Sequence, residues 1–138
     1  MSPDPPPTRA TVLISGTGTN LQALIDARPL MPYLQIVRVI SNKKHALGLE
    51  KAKAASIPVA YHNILRYYPD DLEKLDPDSK AAAKAAAREK YDADLAEVVL
   101  ADKPDIVVCA GFMHILTPKF LDPLAEKKTP IINLHRKF

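Results

Sequence analysis

The stretch TVLISGTGTN, residues 11–20, runs from a short apolar segment into a loop that contains Gly16 and Gly18. Apolar segments of this length that end at glycine are typical of buried β-strands. Apolar residues then recur with helical spacing across residues 21–25, and Thr19 is a candidate N-cap for that helix. The stretch therefore predicts a strand, a tight turn and a helix, the unit from which the rest of the fold is built.

The same alternation of strand and helix continues along the chain. Four further apolar runs are predicted as strands, at residues 36–40, 57–61, 105–110 and 130–135. Helical patterns lie between them, at residues 46–55, from Ser79 to the turn before Pro104, and from Thr117 onward. Strands that alternate with helices imply parallel strands joined by right-handed crossovers. We therefore expect an α/β fold with a Rossmann-like parallel sheet in the strand order 3-2-1-4-5.

Length and composition fit a single globular domain. The chain has 138 residues, of which 47% are hydrophobic and 25% are charged, values close to the globular average. Residues 1–10 hold four of the thirteen prolines and are predicted to be a flexible tail, which leaves residues 11–138 as the domain. Within it, residues 66–87 are predicted to be a Lys/Ala-rich insertion. Its helical part is expected to face solvent, because the apolar stripe of that helix begins only at Tyr91.

Charge, hydropathy and cysteine content argue against a nucleic-acid-binding, membrane or secreted protein. The net charge of +3 comes with lysines spread along the chain, so a nucleic-acid partner is not expected. No apolar run approaches the roughly 18 residues that span a bilayer, and residues 1–10 lack the basic and apolar regions of a secretory signal. The single cysteine, Cys109, cannot form a disulfide within the chain. These features predict a cytoplasmic protein without a membrane partner.

Three segments are expected to meet at one edge of the sheet, namely residues 16–20, 111–116 and 133–135. They follow or end strands 1, 4 and 5 of the predicted order. In sheets of this kind ligands bind beyond the carboxyl ends of the strands, at the point where the strand order reverses. The functional site is therefore expected in these three segments.

The loop after strand 1 is suited to binding a phosphate group. Gly16 and Gly18 let the backbone turn tightly and approach a ligand, and the N–H groups at the start of the next helix favour an anion. A plain strand-to-helix turn has the same composition. Leu21 stands where the dinucleotide fingerprint has its third glycine, and residues 42–44, Asn-Lys-Lys, stand where that fingerprint needs an acidic residue. A phosphate on something other than a dinucleotide is the better prediction.

The other two segments carry candidate substrate-binding groups. Residues 111–116 suit a wall for a flat heteroaromatic ligand, or else a loop that packs Phe112 and Ile115 into the core. Strand alternation puts Asn133 and His135 on the same side, where an amide and an imidazole can polarise a carbonyl and donate a proton. A histidine at a strand end is also common as a structural residue. The histidines and the cysteine show no metal-ligand spacing, so no metal site is expected.

Taken together, the segments resemble the phosphoribosylglycinamide (glycinamide ribonucleotide) formyltransferase family of de novo purine synthesis. The matching stretches are VLISGTGTNL (12–21), VISNK (39–43), GLEKA (48–52), REKYD (88–92), PDIVVCAGFMHILTP (104–118) and INLH (132–135). They run through the chain in order and are broken mainly by the Ala/Lys-rich stretch. Their combination is more specific than any single motif.

The resemblance implies an enzyme that transfers a formyl group from the co-substrate 10-formyltetrahydrofolate to the amine of 5-phosphoribosylglycinamide. It assigns the phosphoribosyl substrate to Gly18, Thr19 and Asn20. It assigns the folate to Arg88, Met113, His114, Ile115, Leu116 and Asn133. The catalytic residues implied are Asn133 and His135. Both would stabilise the oxyanion, and the histidine would pass a proton to the departing folate nitrogen.

The sequence departs from the family pattern after His135. The family continues with Pro-Ser and a long segment that carries a catalytic aspartate, whereas Arg136-Lys137-Phe138 follow here. The expectation is therefore a C-terminally incomplete formyltransferase fold that is weakly active or inactive alone. Its substrates are expected to be small molecules, and an exposed strand at residues 130–135 is expected to allow self-association. The alternatives are a formyltransferase for another amine and a non-catalytic phosphate- or nucleotide-binding module.

Overall fold

The computed structural model describes residues 6–134, which form five strands and four helices. The strands are β1 (Thr8–Ile14), β2 (Leu34–Ser41), β3 (Val59–Tyr61), β4 (Ile106–Ala110) and β5 (Ile131–Leu134). The helices are α1 (Thr19–Asp26), α2 (Leu47–Ala54), α3 (Pro77–Ala101) and α4 (Pro118–Glu126). Short 3₁₀ turns cover Arg28–Leu30, Ile64–Tyr67 and Leu72–Lys74. None of the helices in this part of the chain combines the length and the apolar character needed to cross a membrane.

All five strands pair in parallel in the order β3-β2-β1-β4-β5, which confirms the predicted α/β sheet. β1 lies at the centre, because Val12 pairs with Val39 of β2 on one side and with Val108 of β4 on the other. The strand order reverses between β1 and β4. The carboxyl ends of these two strands therefore flank the crevice in which such sheets bind ligands.

Helices cover both faces of the sheet, and alternate residues of β1 contact the two layers. Val12 belongs to a core cluster that includes Leu21 of α1, whereas Leu13 belongs to a second cluster on the side of α3 and α4. The second cluster includes Tyr91 and Phe120, which are among the largest fully buried side chains. The two helix layers hold β1 in place and thereby fix the loop that follows it.

β1 begins at Thr8, three residues before its predicted start, so the prediction of a flexible tail is wrong from Thr8 onward. The Arg9 N–H donates to the Asp105 carboxylate at 2.8 Å, and the Arg9 guanidinium donates to the Asp102 carbonyl at 2.6 Å. β1 is a central strand with a neighbour on each side. Hydrogen bonds from both sides therefore hold its first residues in the strand, although these residues are polar and follow no apolar pattern. Residues 1–5, the rest of the predicted tail, lie outside the described residues.

α3 begins at Pro77 and continues to Ala101, so the helical part of the Lys/Ala-rich stretch is the first half of this helix. Side chains in this first half are mostly exposed, which confirms the predicted solvent-facing position, and buried positions begin at Ala87. Helix propensity alone explains the continuity, since alanine and lysine are strong helix formers. That residues 66–87 are an insertion stays a prediction.

Candidate functional site

The loop between β1 and α1 turns at Gly18, which is the N-cap of α1 and has a φ of 77°. A Cβ at this position would lie 2.5 Å from the Cα of Gly48 in the first turn of α2. Only glycine therefore combines the left-handed backbone with this close approach. The prediction that Thr19 caps the helix is wrong, because Gly18 occupies the cap position. Thr19 is the first helical residue, and its hydroxyl is 3.1 Å from that of Thr17.

The start of α1 has backbone donors that the helix itself does not use. The first hydrogen bond of the helix runs from the Gln22 N–H to the Gly18 carbonyl at 2.7 Å. The N–H groups of residues 19–21 therefore have no carbonyl partner within the helix. A cavity of about 440 Å³ lies beside them, lined by Thr19, Asn20, Gln22, Ala23, Asp26, Lys51 and Leu134. The N–H groups of the first turn of α1 suit an anion, and Lys51 adds a positive charge to a lining that also holds the carboxylate of Asp26.

Two hydrogen bonds join the three predicted segments. The hydroxyl of Ser15, which is 1% exposed at the end of β1, accepts the Met113 N–H at 2.7 Å. The side-chain amide of Asn20 donates to the Leu134 carbonyl at 3.2 Å. The loops after β1 and β4 and the end of β5 are thus fixed to one another. The sequence predicted that they meet, and these bonds are what holds them.

The third segment is described only through Leu134. Asn133 lies on β5 opposite Cys109 of β4, and within residues 6–134 its side chain is exposed. Cys109 is a buried free thiol, and burial raises its pKa to about 11, which keeps it protonated at neutral pH. His135, the predicted catalytic acid, lies outside the described residues.

A second cavity, of about 600 Å³, lies between the first half of α3 and the loop after β4. Its lining residues are Ile64, Tyr68, Ala81, Lys84, Ala85, Arg88, Met113, His114 and Ile115. The set includes Arg88, Met113, His114 and Ile115, four of the residues assigned to the folate by resemblance. Leu116 does not line this cavity, because it packs against the core cluster on the side of α3 and α4.

The loop after β4 turns one aromatic side chain inward and leaves two apolar side chains outside. Phe112 packs against the core, whereas Met113 and Ile115 are each 79% exposed at the cavity. The alternative in which Ile115 packs into the core is therefore wrong. The Arg88 guanidinium donates to the Ile115 carbonyl through Nε at 3.2 Å and also through Nη2. One wall of the cavity is thus apolar, and a cation anchors it.

Asp92 of α3 anchors the same loop and was not among the predicted site residues. Its side chain is fully buried, and Oδ1 accepts a hydrogen bond from His114 Nε2 at 2.7 Å. Oδ2 accepts the Thr117 N–H and the Thr117 hydroxyl, each at 2.6 Å. Its position four residues after Arg88 places both side chains on one helix face, but the local sequence does not show that this face meets the loop after β4. Two side chains of α3 that lie one turn apart, Arg88 and Asp92, therefore hold the loop after β4 through hydrogen bonds.

The Asp92 carboxylate keeps its charge despite its burial. Burial by itself raises the pKa of this group, but the hydrogen bonds from His114 and Thr117 outweigh that effect and hold the pKa below its ordinary value. The group is ionised at neutral pH, with three donors around it. A buried carboxylate in this state fixes the donors that surround it, which here belong to the loop wall of the cavity.

Comparison with known sequences identifies the protein family that the chain resembles. The family model described as Formyl transferase matches residues 8–138. The phosphoribosylglycinamide formyltransferase of Schizosaccharomyces pombe is 46% identical over 127 residues, which cover 90% of this chain and 56% of that protein. The phosphoribosylglycinamide formyltransferase of Escherichia coli is 39% identical over 125 residues, which cover 90% of this chain and 49% of that protein.

Solved structures share the fold. The crystal structure of glycinamide ribonucleotide transformylase 1 from Symbiobacterium toebii matches 96% of this chain and 53% of its own, with a TM-score of 0.72 and 30% identity. Phosphoribosylglycinamide formyltransferase from Brucella melitensis matches 96% of this chain and 58% of its own, with a TM-score of 0.67 and 32% identity. This chain spans about half the length of the relatives it matches. Since the family model covers it from residue 8 onward, the chain belongs to the formyl transferase family.

Proposed function

We propose that this chain contributes the substrate-binding edge of an enzyme that transfers a formyl group from 10-formyltetrahydrofolate to the amine of 5-phosphoribosylglycinamide, in de novo purine synthesis. The observation that carries the proposal is the convergence of three loop segments where the strand order reverses, held by the Ser15–Met113 and Asn20–Leu134 hydrogen bonds. The names of the similar proteins support the choice of substrates.

The loop at Gly18 suits the phosphate of the acceptor. Its backbone lies close to α2, its following N–H groups lack helical partners, and Lys51 lines the cavity beside them. A phosphate group gains hydrogen bonds from the N–H groups and charge compensation from the lysine. This supports Gly18, Thr19 and Asn20 as binding residues for the phosphoribosyl substrate.

The cavity between α3 and the loop after β4 suits the folate. A folate joins a flat heteroaromatic ring system to a tail that carries carboxylates. The exposed side chains of Met113 and Ile115 offer an apolar surface to the rings, and Arg88 supplies a positive charge. His114 lies on the same wall, and Leu116 supports that wall from behind through its packing in the core.

Formyl transfer needs a group that stabilises a developing oxyanion and a group that supplies a proton. The folate brings the formyl group, and the glycinamide nitrogen bonds to the formyl carbon as the bond to the folate nitrogen breaks. The exposed amide of Asn133 donates a hydrogen bond to the formyl oxygen, on which negative charge develops. In this proposal protonated His135 stabilises the same charge and passes its proton to the folate nitrogen as the bond from that nitrogen to the formyl carbon breaks. The glycinamide nitrogen loses one proton when it becomes an amide, and this proton restores the protonated imidazole.

The proposal implies small-molecule partners and a cytoplasmic place of action. The cavity at α1 and the cavity at α3 both have volumes in the range of small-molecule sites. The ligands proposed here fit their volumes, about 440 and 600 Å³.

Calorimetric titration of the purified chain with each substrate tests the proposal. We expect 5-phosphoribosylglycinamide and 10-formyltetrahydrofolate to bind separately, and excess inorganic phosphate to compete with the first alone. Binding of the first without any folate binding would favour a phosphate-binding module. Folate binding without phosphoribosylglycinamide binding would favour a formyltransferase for another amine.

A further inference from the structure

A third cavity, of about 340 Å³, lies between the loop after β1 and the loop after β2. Residues 15–17 line it from the first loop, and Lys43 with residues 45–47 lines it from the second. Among the described residues, none of those that line it also lines the cavity beside α1 or the cavity beside α3. The two substrates of the proposed function therefore leave this cavity without a ligand.

Hydrogen bonds hold both walls of this cavity in place. The Gly48 N–H donates to the Gly16 carbonyl at 3.2 Å and so joins the start of α2 to the loop after β1. The hydroxyl of the fully buried Ser41 donates to the Lys43 carbonyl at 2.7 Å and accepts the Lys43 N–H at 2.9 Å. The walls are thus ordered before a ligand binds, which lowers the entropy cost of binding.

Ser15 brings a buried hydrogen-bond donor to the wall. The residue is 1% exposed, and its hydroxyl oxygen accepts the Met113 N–H at 2.7 Å. Within residues 6–134 the hydrogen of that hydroxyl has no acceptor. A buried donor without an acceptor costs free energy, and an oxygen atom of a ligand in the cavity would satisfy it.

The polar part of the lining is rich in donors and carries positive charge. Lys43 is exposed and forms no salt bridge in the part of the chain from residue 6 to residue 134, and His45 adds an imidazole. The N–H groups of residues 45–47 have no hydrogen-bond partner among the same residues. The cavity beside α1 includes the carboxylate of Asp26, whereas the described lining of this cavity includes no carboxylate. Such a lining favours an anion.

The position of Lys43 and the apolar part of the lining narrow the class of anion. Lys43 follows β2, and in parallel sheets of this kind the end of that strand meets the ribose of a bound nucleotide. An acidic residue there accepts from a hydroxyl, whereas a basic residue accommodates a phosphate. Leu47 is 59% exposed and gives the cavity an apolar side. A phosphate ester with a small apolar group matches both features.

We propose that the cavity between the loops after β1 and β2 binds a small phosphate ester. Lys43, His45 and the Ser15 hydroxyl contact the phosphate oxygens, and Leu47 packs against the rest of the ligand. This site is separate from the start of α1, which is proposed for phosphoribosylglycinamide. It goes beyond formyl transfer, because both substrates of that reaction are assigned to other cavities.

NMR titration of the purified chain with inorganic phosphate and with phenyl phosphate tests the proposal. We expect both probes to shift the amide signals of residues 43–47, and the phenyl ester to bind there about fivefold more tightly, because its ring covers Leu47. Lys43→Gln should weaken both probes about fivefold. Leu47→Ser should remove only the advantage of the phenyl ester. Lys44→Gln is the matched control, since Lys44 is an exposed lysine of the same loop that does not line the cavity.

The amide signals of residues 19–21 report separately on the start of α1. Shifts at residues 43–47 that Lys43→Gln weakens and Lys44→Gln preserves would support the proposal. Shifts confined to residues 19–21 would overturn it and leave the proposed function standing. Unchanged affinity in Lys43→Gln would also overturn it. So would equal weakening by the two lysine substitutions, because affinity would then follow net charge rather than the cavity.

Discussion

The close approach of Gly18 to Gly48 makes the loop between β1 and α1 sensitive to a single side chain. In Gly18→Val a branched side chain starts where a Cβ alone would lie 2.5 Å from the Gly48 backbone, on a residue with a φ of 77°. Valine at positive φ adds backbone strain to this overlap. We expect loss of phosphoribosylglycinamide binding and a fall of about 2 kcal/mol or more in the free energy of unfolding. Calorimetry and urea unfolding measure the two effects.

Gly16→Ala is the control for that substitution. A Cβ at Gly16 has no heavy atom within 4 Å, so this variant should keep the stability of the parent. The free energies of unfolding of the two variants can then be compared. Their difference separates the effect of the close approach at Gly18 from the general effect of replacing a glycine in a loop. Unchanged phosphoribosylglycinamide affinity in Gly18→Val would contradict the assignment of the loop.

Asp92→Asn tests the hydrogen bonds through which α3 holds the loop after β4. An asparagine amide cannot accept all three hydrogen bonds, because its Nδ2 is a donor and faces either His114 or Thr117. We expect a loss of about 2–3 kcal/mol of unfolding free energy and weaker folate binding, with phosphoribosylglycinamide affinity unchanged. Glu97→Gln, at an exposed position of the same helix, should change neither quantity. Equal loss of affinity for both substrates would point to a general defect instead.

The charge of Asp92 also predicts how stability depends on pH. The pKa of this carboxyl is lower in the folded chain than in the unfolded chain, so the unfolded chain binds the proton more readily. The contribution to stability is complete above the unfolded pKa of about 4 and disappears as the pH falls through the folded value. Urea unfolding at a series of pH values should therefore show a steeper acid loss in the parent than in Asp92→Asn. Parallel curves would contradict the role of the ionised carboxylate.

Among the secondary-structure elements, the strands of the sheet were the most predictable from the sequence. A run such as Ile106–Ala110 is rich in branched apolar residues and is followed by Gly111, which marks both the strand and its end. The start of β1 was missed, because Thr8 and Arg9 are held by neighbouring strands rather than by an apolar pattern. The order of the strands in the sheet was predicted from the alternation of strands and helices along the chain. The polar residues at the start of β1 do not change that alternation.

The candidate site was predictable where it depends on backbone, and not where it depends on contacts between distant side chains. The glycine loop carries a local signature in sequence, whereas the composition of residues 111–116 leaves open whether Ile115 lines a ligand wall or packs into the core. Asp92 carries no such signature, since a carboxylate on a helix has the same local pattern whether it faces solvent or a loop. The same holds for Lys84, whose low-complexity surroundings indicate a solvated helix but not the cavity on one side of it.

The two halves of α3 should respond differently to a helix-weakening substitution. Ala82 is exposed in the first half, whereas Ala96 is 1% exposed in the packed second half. Ala82→Gly should speed amide hydrogen exchange in the first half by several-fold while leaving the free energy of unfolding within about 0.5 kcal/mol, because terminal turns open locally. Ala96→Gly should cost about 1–2 kcal/mol, the loss of propensity and of a packed methyl group. Equal costs would mean that the whole helix unfolds with the core.

Across the molecule, the sheet has an edge strand at each side, and the two edges differ in their exposure to pairing. β3 is short, Val59–Tyr61, and Pro58 before it has no N–H to donate. Within residues 6–134, β5 pairs with β4 alone, and Ile132 on it is 47% exposed. An open edge with an exposed apolar side chain is a template for another strand, so β5 is the edge at which two copies would meet.

We therefore expect the purified chain to self-associate through β5. Sedimentation velocity over a concentration series should show the average sedimentation coefficient rising with concentration. Ile132→Lys should suppress the rise, because a charge at an edge strand opposes pairing with a second copy. Leu30→Lys is the control, since Leu30 is 86% exposed but lies in a 3₁₀ turn away from that edge. The lysines at 127 and 128 precede the strand and already hinder pairing, so the association is expected to be weak. A monomer at every concentration, with cooperative unfolding, would show that the edge of β5 is protected in the folded chain.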